Sequence, residues 1–247
     1  MRKIIGTIYS IYAFLIFIVV MLLLFPFFVM ASFFGRIRGG NMMYSICRIW
    51  ADIVMFLWGM YHKNIFEGQK VKDHAVVYVF NHISYIDIPI MMKAFRNEPI
   101  RILAKAEMAK VPVFGYIYRK ATVMVDRASD AARAKSVLQL KSILSKKISI
   151  VISPEGTFNT TNKPLKEFYN GAFKIAVEMQ VPIQPVLFLD AHDRLHYKSI
   201  FSLTAGKSRA VFLPEIMPSN DADVLKQKVY HEMEEGLLRY KASWVNG

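Results

Sequence analysis

The segment Asn81-His82-Ile83-Ser84-Tyr85-Ile86-Asp87 places a histidine and an aspartate five residues apart. On one ideal helix that spacing would separate the two side chains by about 140°. They meet if His82 lies in a loop and Asp87 in the first turn of a following helix. A carboxylate on one ring nitrogen fixes the imidazole tautomer. The other nitrogen is then free to accept a proton from a hydroxyl. Such a pair suits transfer to an alcohol without a nucleophile from the protein. Ser84 is placed to cap the same helix, so Ser-x-x-Asp reads as a capping-box variant, and Pro89 limits the regularity of its first turn. The same residues also fit a plainer pattern, a capped helix beside a hydrogen-bonded loop histidine.

Two further segments carry polar groups at the ends of expected strands. In Ser153-Pro154-Glu155-Gly156-Thr157, the glycine lets backbone N–H groups approach a ligand closely. Glu155 can hydrogen-bond a polyol, and Thr157 offers a donor and an acceptor; an ordinary turn has the same composition. Val125-Asp126-Arg127 places an arginine where it can clamp phosphate bidentately or form a surface ion pair.

The elements that must position these groups are those of an α/β domain. Residues 75–80, 122–125 and 148–152 read as buried strands, and 182–189 and 210–213 as weaker ones punctuated by proline. Ser129 or Asp130 can cap a helix running to about residue 147. Residues 168–179 and 222–240 also read as helices. The alternation predicts a mostly parallel sheet flanked by helices.

Ahead of this domain the texture changes. Residues 4–35 carry no charge and include the run from Phe14 to Phe25, long enough for a bilayer core that needs roughly 20 helical residues. It is a poor cleavable signal peptide, being far longer than the usual apolar region. Pro26 interrupts it. Arg36 and Arg38 lead into Gly39-Gly40 and a second apolar stretch, residues 42–61, with Arg48 and Asp52 spaced to pair and Trp50, Trp58 and Tyr61 suited to headgroup depth. Residues 1–62 therefore read as a membrane-anchoring helical hairpin and 63–247 as the second domain. Basic residues at both ends of the first run fit a hairpin dipping into one leaflet from the cytoplasmic side. Cys47 reads as a packing residue.

Composition agrees. The 247 residues are 54% hydrophobic, with 32 Lys and Arg against 19 Asp and Glu, for a net charge of +13. That is too apolar for a disordered chain, and a single cysteine excludes an internally disulfide-stapled scaffold. No Cys/His spacing suggests structural zinc. A basic, apolar chain suits an anionic membrane surface; no RNA-binding or helix-turn-helix pattern supports nucleic acid.

The ordered set of segments resembles the membrane-bound 1-acylglycerol-3-phosphate acyltransferase family, within the lysophospholipid acyltransferase superfamily. Asn81-His82-x-x-x-x-Asp87 matches its first motif. Gly115 through Asp126-Arg127 resembles the second, Pro154-Glu155-Gly156-Thr157 the third, and Val181-Pro182-Ile183-Gln184-Pro185-Val186 the fourth. Lys105-Ala106-Glu107-Met108 is similar to the family's Lys-x-Glu-Leu segment. The resemblance covers roughly residues 70–215.

It implies transfer of a fatty acyl chain from acyl-CoA or acyl-carrier protein to the sn-2 hydroxyl of lysophosphatidate, giving phosphatidate for phospholipid biosynthesis. His82 would be the general base and Asp87 its orienter, with Asn81, Ser84 and Pro154 supporting the motifs. Glu155, Gly156 and Thr157 would line the acceptor site, and Lys105 and Arg127 would bind its anionic part. No metal or redox cofactor is implied. The partners would be membrane lipids, the lysolipid acceptor and the acyl donor, at the cytoplasmic side of the cell membrane. Relatives often carry an aromatic before Pro-Glu-Gly-Thr and an arginine after it; here these are Ser153 and Phe158. Ala121 replaces a usual glycine. Phe158 keeps open a lyso-aminolipid or another lysophospholipid as acceptor. A non-catalytic lipid-binding protein on the same fold is the alternative of another class.

Overall fold

The computed structural model describes residues 2–68, 73–125, 129–161 and 163–245. In chain order the elements are α1 (Arg2–Ser32), a π-helical turn (Gly35–Gly39), α2 (Gly40–Leu57), β1 (Met60–Phe66), β2 (Val77–Phe80), α3 (Asp87–Ala94) and β3 (Ile100–Lys105). A 3₁₀ turn (Ala106–Lys110) follows, then α4 (Phe114–Ala121), β4 (Val123–Val125), α5 (Asp130–Leu144), β5 (Ser149–Ile152) and α6 (Gly171–Met179). The chain continues through β6 (Ile183–Phe188), α7 (Ala191–Arg194), β7 (Gly206–Phe212) and α8 (Ala222–Arg239).

The seven strands form one sheet in the order β1-β7-β6-β2-β5-β3-β4. Every neighbouring pair is parallel except β6 and β7. The three central strands β2, β5 and β6 are buried throughout, which explains their unbroken apolar runs. One core layer packs the sheet against α1 to α4. The other packs it against α5, α6 and α8. The expected mostly parallel sheet with flanking helices is the architecture found. Ser129 caps α5, its Oγ accepting from Ala132 N at 3.2 Å.

Two strands were not expected. β1 runs through residues 62 and 63, so the sheet begins inside the segment read as an anchor. Tyr61 pairs with Lys207 of β7 instead of ending a membrane helix. β3 carries Arg101, which is buried.

The N-terminal segment is a helical hairpin. α1 is 31 residues long, about 46 Å, and among the described residues Ile4–Ser32 is the one helix long and apolar enough to cross a membrane. It lies against the rest of the protein along its length. Near its start, Tyr9 Oη donates to Trp58 O at 2.5 Å and Ser10 Oγ accepts from Leu203 N at 3.2 Å. In the middle, Phe17 meets Trp50 edge-on at 5.2 Å. At its end, Ser32 and Tyr116 hydroxyls are 2.8 Å apart. The opposite stripe, including Ile4, Ile8, Leu15, Leu22, Phe27, Met30 and Phe33, is exposed. At the elbow Gly40 has no room for a side chain, since a Cβ would lie 2.4 Å from the Arg101 guanidinium. The expected Arg48–Asp52 pair does not form. Asp52 pairs with Lys93 and Arg96, and Arg48 donates to Glu98 O at 2.5 Å. Both side chains serve to fasten α2 to the end of α3 and the segment after it.

Candidate active site

β2 and β5 are adjacent and parallel, with Val79 opposite Ile152. Both therefore deliver the loops that follow them to the same end of the sheet, where α/β proteins place chemistry. Asn81 fixes the end of β2. Its side chain donates to Phe188 O at 3.1 Å and accepts from Phe188 N at 2.8 Å, tying the His82 loop to β6.

His82 and Asp87 meet as the spacing predicted, from a loop and a first helical turn. His82 Nδ1 lies 2.8 Å from Asp87 Oδ2. The same oxygen accepts from Ile83 N at 2.9 Å and Ser84 N at 3.0 Å. Asp87 is fully buried, and its Oδ1 has no partner among the described residues. The carboxylate is thus fixed by two backbone donors before it orients the ring. In the neutral ring with Nδ1–H donating to Asp87, Nε2 is the nitrogen left to accept a proton; it has no partner among the described residues, and the side chain is 27% exposed. Half of the expected capping box forms: Asp87 accepts from Ser84 N. The Ser84 hydroxyl instead donates to Leu195 O, tying the loop to the segment after α7.

The Pro154–Thr157 turn packs against this loop. Gly156 has φ +71°, a conformation that disfavours a side chain, and its N–H donates to Ser153 O at 3.2 Å. Among the described residues, the Thr157 and Phe158 N–H groups have no hydrogen-bond partner. Pro154 O accepts from Tyr169 N at 2.9 Å. Glu155 is fully buried and bridges two loops: Oε1 accepts from His82 N and Oε2 from Lys166 N, each at 2.9 Å. Burial pushes its carboxyl up to about 7, against the opposing effect of those two N–H donors. Its geometry is that of a brace behind His82, with both oxygens occupied.

Lys166 is the residue that sequence reasoning missed. Its Nζ donates to Thr157 Oγ1 at 2.6 Å. Only the folding of the loop between Thr157 and Lys166 creates that contact, so no spacing rule could signal it. Phe158 stands edge-on to His82 at 4.5 Å and to Tyr85 at 4.8 Å.

These groups open on one cavity of about 540 Å³. Its far wall is apolar and includes Phe17, Met21 and Phe28 of α1 and Trp50 of α2. Its near wall carries His82, Thr157, Phe158, Lys105 and Lys166, and no carboxylate among the described residues lines it. The structure therefore brings His82, Asp87, Lys105, Glu155, Gly156 and Thr157 to one place. Arg127 lies outside the described residues.

Fold and site together define an α/β protein with an Asp-oriented histidine at the mouth of an apolar, cation-flanked cavity. The acyltransferase family model matches residues 51–189, more than half of the chain, and the protein belongs to that family. A coconut (Cocos nucifera) 1-acyl-sn-glycerol-3-phosphate acyltransferase is 29% identical over 161 residues, which are 64% of this chain and 50% of that protein. A probable 1-acyl-sn-glycerol-3-phosphate acyltransferase of Mycoplasma pneumoniae is 26% identical over 190 residues, 71% of each chain. The chain thus spans about half the length of the coconut relative. The crystal structure of the 1-acyl-sn-glycerophosphate acyltransferase PlsC from Thermotoga maritima has the same fold. Its TM-score is 0.78, at 24% identity, over 99% of each chain.

Proposed function

We propose that this protein transfers a fatty acyl chain from acyl-CoA or acyl-carrier protein to the sn-2 hydroxyl of 1-acylglycerol-3-phosphate, yielding phosphatidate. The observation that carries this reading is the 2.8 Å contact between His82 Nδ1 and Asp87 Oδ2, with Nε2 open to a cavity whose far wall is apolar. His82 Nε2 takes the proton of the acceptor hydroxyl as its oxygen attacks the thioester carbonyl. Asp87 stabilises the resulting imidazolium. The tetrahedral intermediate collapses, expels the thiolate and returns the proton from Nε2 to sulfur. No acyl-enzyme forms, and the steps need neither metal nor redox cofactor. Positioned acid–base groups contribute about 10²–10⁴-fold. The free Thr157 and Phe158 N–H groups are candidates for the oxyanion, where such donors are worth about 2.7–4 kcal/mol.

Lys105 and Lys166 supply the positive charge for the acceptor phosphate. Lys166 brings a cation beside Phe158, the position where relatives often carry arginine. The α1–α2 hairpin makes sense of the substrate. Each CH₂ moved from water into an apolar site is worth about 0.8 kcal/mol, so a lysolipid is best met in the membrane. An exposed apolar stripe on α1, with the other side fastened to the protein at both ends, supports a hairpin lying in one leaflet of the cell membrane. The catalytic domain then faces the cytoplasm. The cavity wall built from α1 and α2 gives substrate a lateral, apolar way to His82. Nucleic acid has no part in this reading.

The test is acyl transfer by the full chain in lipid, comparing wild type with His82→Ala. Labelled acyl-CoA and acyl-carrier protein would each be offered with lysophosphatidate, other lysophospholipids and lyso-aminolipids. Transfer to lysophosphatidate that vanishes in the variant is expected. Transfer only to another acceptor moves the specificity and points to Phe158; no transfer to any acceptor favours a lipid-binding protein.

A further inference from the structure

A second concavity lies beside the elbow of the hairpin, outside the site just described. It has a volume of about 610 Å³ and is lined by the end of α1, the π-helical turn, the start of α2, α4, β4 and α5. Small residues, among them Gly39, Gly40, Ala106, Ala132 and Ser136, line it together with Met43, Met124 and Gln139. Four cations stand around it: Arg36, Arg119, Lys120 and Lys135. No aspartate or glutamate among the described residues lines it. Like charges gathered at one concavity repel one another and gain most when an anion enters.

The basin is built, not a chance gathering of surface lysines. Buried Arg101 braces the π-helical turn and the start of α2 beside it, donating to Ile37 O at 3.0 Å and Asn41 Oδ1 at 2.9 Å. Arg36 reaches across to Gln139 of α5 at 2.9 Å, and Arg119 is held by Ala109 O at 3.1 Å.

The surroundings identify the occupant. The exposed apolar stripe of α1 ends here in Phe33, 81% exposed, and Phe34. Arg38 lies 5.5 Å over the Phe34 ring. A ligand in this basin therefore has an anionic head beside a greasy rim. We propose that the basin binds the phosphate of an anionic phospholipid of the surrounding leaflet, fixing the elbow at headgroup depth. This rests on the membrane reading given above. Anionic headgroups attract basic residues at the surface, and the attraction fades within a Debye length.

The test is vesicle flotation of the full chain. Vesicles of phosphatidylcholine alone read the apolar hairpin, and failure to bind them would overturn the membrane reading itself. Vesicles that also contain phosphatidylglycerol read the basin. Wild type is expected to bind these about 100-fold more tightly. Arg36→Gln with Lys120→Gln and Lys135→Gln should lose most of that gain while keeping phosphatidylcholine binding and the melting midpoint. A control removes three cations on α6 and beyond, Lys174→Gln, Lys228→Gln and Lys241→Gln, none of which lines the basin. It should keep the gain. Equal loss in both triple variants would overturn the proposal in favour of net charge. Abolition of the gain by free CoA or by acyl-carrier protein would also overturn it, assigning the basin to the acyl donor.

Discussion

The carboxyl end of β2 and the edge strand β1 each present a histidine, and the two differ in every respect that decides reactivity. His82 has one ring nitrogen on a buried carboxylate and the other free at a cavity. His62 has both nitrogens occupied by neutral groups, Nδ1 by Ser208 Oγ at 3.0 Å and Nε2 by Asn64 Oδ1 at 2.7 Å. Desolvation pushes the His62 imidazole down to about 4, chiefly against the raising effect of the Asn64 bond, so it stays neutral across the physiological range. A histidine becomes a base through the nitrogen that is left unbonded, together with a carboxylate able to hold the cation once it forms. His62 lacks both features and joins strands and side chains instead.

The widest separation between the two regions should come from His82→Ala beside His62→Gln. The first should lower kcat by about 10²–10⁴-fold with the fold intact. The second should leave kcat within severalfold of wild type and lower stability by about 1–3 kcal/mol, because Ser208 and Asn64 lose a buried partner. Comparable loss of activity in both would mean that His82 acts through structure. Asp87→Asn sharpens the point. Oδ2 receives all three N–H contacts and Oδ1 none among the described residues. An asparagine can therefore keep its oxygen toward the donors and its amide toward the empty side. The ring geometry survives and only the charge is lost. A hydrogen bond to a charged group is worth about 1.5–3 kcal/mol, so kcat should fall by about 10–10²-fold, less than for His82→Ala. A loss as large as that of His82→Ala would show that the carboxylate is needed to build the loop.

Lys166→Ala tests the cation beside the dyad. With Lys105 sharing the phosphate as proposed, the expected change is a rise of about tenfold in KM for lysophosphatidate, with kcat little altered. An uncharged lyso-acceptor should show no such rise. A fall in kcat for both acceptors would place Lys166 with Glu155 in bracing the His82 loop.

Much of this was legible before the fold was known, for identifiable reasons. The buried strands β2 and β5 announce themselves as apolar runs, and the loops after them hold the motif residues, so His82, Asp87 and Pro154–Thr157 could be placed at one sheet end. β1 and β3 were hidden by polar residues whose partners are remote. His62 and Asn64 sit in a strand paired with residues near 208. Arg101 is a charge buried because the elbow carbonyl of Ile37 and the Asn41 side chain receive it. Glu155 was expected to face a ligand. Its bonds to His82 N and Lys166 N depend on two loops meeting, which no local pattern records. The alternation signal reports burial on a strand, whereas polar burial is decided by distant partners.

Glu155 and His62 also pull stability in opposite directions with pH. Folding raises the Glu155 carboxyl from 4.5 to about 7. Between those values the native state holds a proton that the unfolded chain has released, so its contribution to stability falls as pH rises. Folding lowers His62 from 6.5 to about 4. Between those values the unfolded chain holds the extra proton, so its contribution grows as pH rises. Over about pH 4.5–6.5 the two slopes oppose each other and partly cancel in the wild type. Single variants separate them. The stability of wild type minus that of Glu155→Gln should fall from about pH 4.5 to 7, by of order 1–3 kcal/mol. The difference from His62→Gln should climb from about pH 4 to 6.5. Denaturant unfolding at a series of pH values reads both differences. Parallel differences for the two variants would mean that one of the two groups is not perturbed as its burial requires.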